Sequence, residues 1–156
     1  MNKAKENNSI KNQVTIENRK AKFDYEIIEK YECGIVLTGS EIKSIRLGKV
    51  NLSDAYCYFK NNELFIKNMH ISPYGSGFGT HEPMRERKLL LHKNELRKLH
   101  RAVKEERMTI VPIKLYINNK GWAKLQIALA KGKKSFDKRE SIKKRDIERE
   151  IGRKIK

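Results

Sequence analysis

The sequence predicts a mainly β domain with a few helices, an OB-type closed antiparallel β-barrel, followed by a basic C-terminal tail. Two observations predict this fold class. Segments rich in β-branched and aromatic residues alternate with turn residues through the middle of the chain, and one amphipathic helical segment precedes the last two of them. This order matches that of a five-stranded Greek-key OB barrel. An SH3-like barrel or another small α+β sheet is also compatible with it.

The first predicted strand covers residues 24–37, with Gly34 at a place where a long strand can bend or bulge. A short helix is expected next, over 40–48. Ser40 is its expected N-cap, and Gly48 follows its end. The barrel is therefore predicted to carry a short helix after its first strand.

A hairpin is predicted from strands at 55–59 and 64–72, because Asn61 and Asn62 between them tolerate left-handed turn geometry. Residues 73–83 lie between two prolines and contain several glycines. A phosphate-binding loop needs a helix directly behind its glycines and usually a following Lys, whereas Thr80, His81 and Glu82 follow here, so we expect a plain loop.

The second half of the domain is predicted to be a helix and another hairpin. Apolar residues at heptad-like spacing over 89–106 indicate an amphipathic helix, placed at 93–106, with basic residues on its other face. Strands at 108–117 and 122–130 flank the turn NNKG. The apolar positions are Leu89, Leu96, Leu99 and Val103.

Charge divides the 156-residue chain into three parts. The formal net charge is +17, and it is densest at the end, where residues 131–156 hold twelve Lys and Arg against five Asp and Glu. A field this positive favours a polyanionic partner, with nucleic acid first. We predict a flexible N-terminal arm at 1–13, an RNA-binding barrel at 14–131 and a basic tail at 132–156. The tail has too little apolar surface to fold alone.

Several protein classes are disfavoured by the sequence. No apolar run approaches the 18 residues of a membrane span, and the N-terminus lacks the apolar segment of a secretory signal. Cys33 and Cys57 stand outside metal-ligand spacings and indicate a reducing compartment. We therefore expect a cytoplasmic protein with no membrane partner.

Catalysis is not expected, because the titratable residues form no converging set. The four histidines do not have metal-ligand spacing, and neither Ser40 nor Ser141 has the setting of a nucleophile. We predict a non-enzyme with no catalytic residues, no metal, no cofactor and no small-molecule substrate.

The segments NRKAKFDYEI, ECGIVLTGSEIKSIRLGKVNLSDAY, HISPY, EPMRERKLLLHKNEL, VPIKLY and ALAKGKKSFDKRE follow one another with short gaps. In this order they resemble the SsrA-binding protein (small protein B) family, from about residue 14 to the end. The resemblance implies a barrel that holds the tRNA-like domain of transfer-messenger RNA. With elongation factor Tu, that complex would enter the A site of a stalled ribosome and contact its 16S rRNA for trans-translation. The tail would become helical in the empty mRNA channel.

The resemblance also implies an RNA-contact set on the barrel. Asn18 would read a base edge or 2′-OH beside two phosphate-binding cations, and Glu32 would accept a hydrogen bond from a guanine or ribose. A rim ion pair is the alternative for Glu32, and plain packing the alternative for Leu90. The implied RNA-binding residues are Asn18, Arg19, Lys20, Glu32, Arg85, Arg87, Lys88, Leu90, Lys131, Lys133 and Lys134.

In the tail, the resemblance implies contacts with the decoding centre. Phe136 stands where the family often has an aromatic residue or a histidine, so stacking on a base is expected while a proton-dependent role is in doubt. A general single-stranded-RNA-binding OB protein or a ribosomal protein is the alternative interpretation. The implied ribosome-contacting residues are Phe136, Asp137, Lys138, Arg139, Lys143, Lys144, Arg145 and Arg149.

Overall fold

The computed structural model describes residues 14–75 and 80–133. Within these ranges it has nine strands and three helices. In chain order they are β1 (Thr15–Glu17), α1 (Arg19–Asp24), β2 (Tyr25–Ile35), α2 (Gly39–Arg46), β3 (Val50–Asn51), β4 (Tyr56–Lys60), β5 (Glu63–Lys67), β6 (His70–Ile71), β7 (Arg87–Leu90), α3 (Lys93–Glu105), β8 (Thr109–Ile117) and β9 (Ala123–Gly132).

Seven of the described strands form one antiparallel sheet in the order β1-β8-β4-β5-β7-β2-β9, and β8 also pairs with β9. Strands β3 and β6 pair separately. The prediction of a mainly β domain with a few helices is confirmed. Strands β1 and β7 and helix α1 were not expected from the sequence, since each is only three to six residues long.

The interior of the sheet is apolar because side chains alternate along each strand. Leu64 and Ile66 of β5 and Leu115 of β8 are fully buried in one core cluster. Leu99 of α3 joins the same cluster, so the helix packs against the core. Burying each such side chain contributes roughly 1.5–3 kcal/mol.

Helix α2 begins two residues earlier than the predicted N-cap implies. Its N-cap is Thr38, not Ser40, because Thr38 and Glu41 form a reciprocal capping box. The Thr38 hydroxyl accepts from the Glu41 N–H at 3.4 Å, and the Glu41 carboxylate accepts from the Thr38 N–H at 2.8 Å. Gly48 follows the helix with φ +71°, as its predicted place after the end requires.

Strand β2 is irregular at a different place from the one predicted. Its register against β9 shifts between Ile27 and Glu29, whereas Gly34 lies in regular pairing with Leu90 on one side and Lys124 on the other. The bend expected at Gly34 is therefore wrong. The absence of a side chain at Gly34 instead shapes the outer surface of the sheet.

The segment before α3 is a strand and not the start of the helix. Leu89 lies in β7, where Arg87 and Leu89 are buried while Lys88 and Leu90 point the other way. Helix α3 begins at Lys93. The helical pattern assigned to Leu89 is therefore wrong, because two-residue alternation and helical spacing overlap in a run of leucines.

Both predicted hairpins are present. Asn61 and Asn62 join β4 to β5 with φ of 52° and 63°, in the left-handed region that asparagine tolerates. The predicted strand at 64–72 is divided into β5 and β6, because Asn68 also adopts a positive φ, 63°.

Candidate nucleic-acid interface

A groove crosses the outer surface of the sheet where Gly34 separates two larger residues. Leu90 of β7, Gly34 of β2 and Lys124 of β9 lie side by side in register. A Cβ atom at Gly34 would lie 3.4 Å from the Leu90 Cβ, so glycine keeps this space open. We call the depression the Gly34 groove. It is lined by Glu32, Gly34, Ile35, Leu90, Leu91, His92, Glu95, Trp122, Ala123 and Lys124.

The Gly34 groove combines apolar surface with charge. Trp122 is 67% exposed and Leu90 is 51% exposed, which is unusual for large apolar side chains that have no protein partner. Lys124 and the exposed Glu32 add a cation and an acceptor. A surface with these groups can bind an unstacked base on its apolar residues and a phosphate or ribose at its polar edge.

Glu32 also interacts within the fold. Burial of the Tyr116 hydroxyl, followed by a hydrogen bond to Glu32 and the charge of its carboxylate, raises the pKa of Tyr116 to about 12. Tyr116 lies opposite Lys124 in the β8–β9 ladder. The phenol thus holds the Glu32 carboxylate beside the groove and keeps its own proton across the physiological range.

Aromatic residues on the neighbouring strands extend this surface. The Tyr56 and Tyr58 rings lie 6.2 Å apart, and the Tyr58 and Phe65 rings 6.3 Å apart, on the outward positions of β4 and β5. Phe65 pairs in register with Lys88 of β7. Sequence reasoning missed these aromatics and Trp122, although the alternation in AYCYF placed Tyr56 and Tyr58 on the face opposite Cys57.

The structure therefore brings together three of the predicted RNA-binding residues. Glu32 and Leu90 line the Gly34 groove. Lys88 lies two residues before Leu90 on the same outward side of β7, with its Nζ 3.0 Å from a Glu63 carboxylate oxygen. This ion pair is solvent-exposed and contributes little, so Lys88 can exchange Glu63 for a phosphate.

Asn18 does not have the predicted role of reading RNA. Its side chain is 3% exposed. The amide Nδ2 donates to the carbonyls of Leu52 at 3.1 Å and Pro112 at 2.9 Å, and Oδ1 accepts from the Ala21 N–H at 3.2 Å. These three bonds cap α1 and fasten it to the sheet, so no donor is left for a base.

Arg19 and Lys20 lie at the exposed start of α1, where Asn18 holds the helix. The hydrogen bond and charge of Asp54, 3.0 Å from the Lys20 Nζ, raise the pKa of Lys20. Both cations are accessible to phosphate. Neither residue lines the Gly34 groove.

Arg87 is buried and cannot be the phosphate clamp that the sequence suggests. Arg87 and Glu41 both have fully buried side chains and are joined by an Nε to Oε2 hydrogen bond. Arg87 Nη1 donates to the Met69 carbonyl at 2.7 Å, and Nη2 donates to the Pro83 carbonyl at 3.2 Å. The guanidinium thus ties α2, β7 and the loop before β7 together.

Arg85 shares the same carboxylate. Its Nη2 lies 2.6 Å from Glu41 Oε1 and 3.2 Å from the Val36 carbonyl, so this half-buried residue serves the fold too. Burial by itself would raise the pKa of Glu41, but hydrogen bonds from Arg85, the Thr38 N–H and Arg87 outweigh it. They hold the pKa of Glu41 below its ordinary value. The predicted backbone clamp is therefore reduced to Lys88.

Lys131 is exposed near the end of strand β9. The backbone N–H of Lys133 donates to the Asp24 carbonyl at 2.9 Å. The end of β9 is thereby fastened beside α1. The remaining predicted contacts fall outside the described residues and stay predictions. They are Lys134, Phe136, Asp137, Lys138, Arg139, Lys143, Lys144, Arg145 and Arg149.

Within residues 14–75 and 80–133, no group of three His, Cys, Asp or Glu side chains could hold a metal ion. Over the same ranges, α3 is the longest helix, and none of the three has the length and hydrophobicity needed to cross a bilayer.

The chain is similar to known proteins along most of its length. A protein-family model described as "SmpB protein" matches residues 15–156. The chain belongs to the SmpB family. The SsrA-binding protein of Phocaeicola vulgatus is 59% identical over 144 residues, which cover 92% of this chain and 96% of that protein. The SsrA-binding protein of Cytophaga hutchinsonii is 57% identical over 145 residues, covering 92% and 94%.

A solved structure shares the fold and the family. It is described as "tmRNA-SmpB: a journey to the center of the bacterial ribosome" and matches with a TM-score of 0.68 at 45% identity. The match covers 83% of this chain and 94% of that one. The resemblance that the motifs indicate is confirmed, and the relatives are named as binding proteins rather than enzymes.

Proposed function

We propose that this protein binds the tRNA-like domain of transfer-messenger RNA and delivers that RNA to stalled ribosomes for trans-translation. Membership of the SmpB family over residues 15–156 carries the proposal. Relatives more than half identical are SsrA-binding proteins, and a structural relative is described with transfer-messenger RNA and the bacterial ribosome. The protein acts in the cytoplasm as a binding protein without catalysis of its own, and elongation factor Tu accompanies the charged RNA.

The Gly34 groove is the proposed centre of the RNA contact. Trp122 and Leu90 offer exposed apolar surface for an unstacked base, and Glu32 offers an acceptor that favours a guanine edge or a ribose hydroxyl. Lys88 and Lys124 supply the positive charge that phosphates require. The groove also holds the carboxylates of Glu32 and Glu95, which repel phosphate, so it favours a folded RNA with a particular exposed base over an arbitrary polyanion.

We further propose that the domain is an OB-type closed barrel that presents the tail to the ribosome. Strand β8 pairs with both β4 and β9, which supports closure because the strand order from β8 through β9 then returns to β8. The tail at 132–156 would enter the empty mRNA channel and the decoding centre of the A site. Its many cations would be neutralised there by 16S rRNA phosphates.

A competition experiment tests the RNA assignment. The full-length protein is bound to labelled transfer-messenger RNA and challenged with bulk tRNA and with single-stranded DNA. We expect the tRNA-like domain to compete at least tenfold better than either, since base and ribose contacts add to the electrostatic term. Equal competition by all three would indicate a general nucleic-acid-binding protein instead.

The same assay tests the groove. Trp122→Ala should weaken binding by about 5- to 150-fold, the range of roughly 1–3 kcal/mol for one lost stacking contact, and Leu90→Ala should fall at the lower end of that range. Both side chains are exposed, so the melting temperature should stay within about 2 °C of wild type. Leu47→Ala, which shortens a 59% exposed leucine at the end of α2 and outside the groove, is the matched control. Full affinity in both groove variants would move the RNA site elsewhere.

A truncation separates the two proposed halves. A chain ending at Ser135 keeps all of β9 and the predicted RNA contacts Lys133 and Lys134, and it should bind the tRNA-like domain within about twofold of the full protein because the Gly34 groove is intact. It should fail to support peptide tagging in a reconstituted translation system. A truncated chain that tags normally would remove the tail from the mechanism.

A further inference from the structure

Glu32 lies among lysines on the outer face of the sheet, yet it forms an ion pair with none of them. Lys30 lies two residues before it on β2. Lys114 of β8 and Lys124 of β9 occupy register positions on the same face. Among the described residues, no ion pair within 4.0 Å includes the Glu32 carboxylate. The rim ion pair that the sequence allowed for Glu32 is therefore not what holds this side chain.

The side chain that reaches Glu32 is the phenol of Tyr116, two strands away on β8. Tyr116 lies opposite Lys124 of β9, and Lys124 lies opposite Gly34, two residues after Glu32 on β2. Two strand spacings are roughly 9–10 Å, a gap that a tyrosine and a glutamate side chain close from its two sides. The Tyr116 hydroxyl donates to the Glu32 carboxylate across β9.

The Tyr116 ring also holds a cation of its own strand. The Lys114 Nζ lies over this ring, 5.4 Å from its centroid, within the distance at which an ammonium is attracted to an aromatic face. Lys114 shares a register row with Glu32, since both lie opposite Gln126 of β9. Tyr116 thus keeps an ammonium on its face and a carboxylate at its hydroxyl, so these two opposite charges stay apart.

This separation determines what Glu32 offers to a ligand. An ionised carboxyl group has two oxygens and only accepts hydrogen bonds, so one bond from a neutral phenol leaves further acceptor sites open. An ammonium paired with Glu32 would neutralise the charge that makes those sites strong acceptors. The open sites suit the N–H donors of an unstacked base or the O–H of a ribose.

We infer that Tyr116 is a positioning residue for RNA recognition, which holds Glu32 at the wall of the Gly34 groove as an open acceptor for a hydrogen-bond donor of the RNA. The inference rests on the proposed function, in which this groove binds the tRNA-like domain. Tyr116 and Lys114 do not line the groove themselves. Both therefore act through Glu32 and not by touching the base.

A double-mutant cycle tests the inference with the full-length protein and a labelled transcript of the tRNA-like domain. Tyr116→Phe removes the hydroxyl and keeps the ring that Lys114 covers. We expect the affinity to fall by about five- to tenfold, because Glu32 loses the hydrogen bond that orients it. In a Glu32→Ala background, Tyr116→Phe should change the affinity by less than about twofold, because the group that it positions is already absent.

Tyr74→Phe is the matched control. Tyr74 also carries a lysine over its ring, with the Lys43 Nζ 5.3 Å from the centroid, and it is 45% exposed outside the Gly34 groove. Loss of its hydroxyl should change the affinity by less than about twofold. The slope of log affinity against log salt should keep its wild-type value in Tyr116→Phe, because no phosphate contact is removed. Melting curves check that all variants are folded at the assay temperature.

Three outcomes would overturn the inference. Wild-type affinity in Tyr116→Phe would show that Glu32 needs no positioning. Equal losses with and without Glu32 would assign Tyr116 a structural role or an RNA contact of its own. A reduced salt slope would indicate a lost phosphate contact. Failure of the wild-type protein to prefer the tRNA-like domain over bulk tRNA would instead contradict the proposed function, and the coupling between Tyr116 and Glu32 could still be measured on bulk tRNA.

Discussion

Arg87 and Lys88 are neighbours in the chain, yet they lie on opposite sides of β7. Arg87 points into the domain, where Glu41 and two backbone carbonyls surround its guanidinium. Lys88 points outward beside Leu90, and its carboxylate partner Glu63 is itself exposed. The same contrast recurs at Asn18, whose amide is fully used by the fold, and at Arg19, which is exposed.

This contrast shows that the cations of one basic motif can be of two physically different kinds, buried and exposed. A buried guanidinium that is hydrogen-bonded to Glu41 and to backbone carbonyls is committed to the fold, because releasing it would leave the buried Glu41 carboxylate with Arg85 as its one remaining cation. An exposed ammonium in a surface ion pair loses little when it changes partner. In the segment RERK, Arg85 and Arg87 therefore serve the fold, and Lys88 is the cation that remains accessible for the proposed RNA contact.

The largest expected effect comes from removing Arg87. Arg87→Ala should lower the free energy of unfolding by about 3–5 kcal/mol, since it leaves the Glu41 carboxylate buried and half-paired. Urea denaturation at neutral pH measures the change. Glu41→Ala should cost a similar amount, and the double variant should cost less than the sum because the two residues form one network.

Arg87→Lys provides a sharper control on that result. A single ammonium cannot replace the fork that contacts Glu41, Met69 and Pro83, so most of the stability should stay lost. Recovery of wild-type stability in Arg87→Lys would mean that charge alone matters there. A loss below about 1 kcal/mol in Arg87→Ala would contradict the structural role.

The next largest loss of stability is expected at Asn18, another buried polar side chain whose hydrogen bonds hold the fold. Asn18→Asp keeps an acceptor for the Ala21 N–H but replaces the donor that satisfies the Leu52 and Pro112 carbonyls. We expect a loss of about 2–3 kcal/mol in unfolding free energy, the scale for buried polar groups left unsatisfied. Thermal denaturation measures it. Arg19→Gln is the control and should leave the melting temperature unchanged while weakening RNA binding.

The longer helices and strands could be predicted from the sequence, but which charged side chains are buried could not. The two hairpins followed from alternation and turn residues. The four-residue strand β7 was not predicted, because its Leu89 also fits the heptad pattern of α3. Burial of Arg87 depends on Glu41, 46 residues away in the chain, and no local pattern reports such a partner.

The candidate site divides in the same way. The residues carried over from the family motifs included Glu32 and Leu90, which the fold places in one groove. Trp122 joins them only because β9 pairs with β2, a long-range register that the sequence does not display. Asn18 and Arg87 were carried over from the same motifs, but in the structure both side chains are buried and hydrogen-bonded within the fold.

A smaller effect concerns pH. The pKa of Glu41 lies below its ordinary value of 4.5, so the unfolded chain binds more protons in the acidic window. The contribution of Glu41 is therefore complete above that ordinary value and is lost as the pH falls through the folded pKa. Unfolding free energies of wild type and Glu41→Gln, followed from neutral to about pH 3, should converge on the acidic side. A constant difference across that range would show that ionisation of Glu41 is unimportant.

The smallest expected effect on stability is at Lys88, and it completes the comparison with Arg87. Lys88→Gln breaks an exposed pair with Glu63, so the unfolding free energy should change by no more than about 0.5 kcal/mol. RNA affinity should nevertheless fall, with a salt slope reduced by about one if Lys88 meets a phosphate. Glu63→Gln breaks the same pair and leaves the cation, so it should maintain or strengthen RNA binding. Equal losses of affinity in both variants would mean that the ion pair, and not the free cation, shapes the RNA surface.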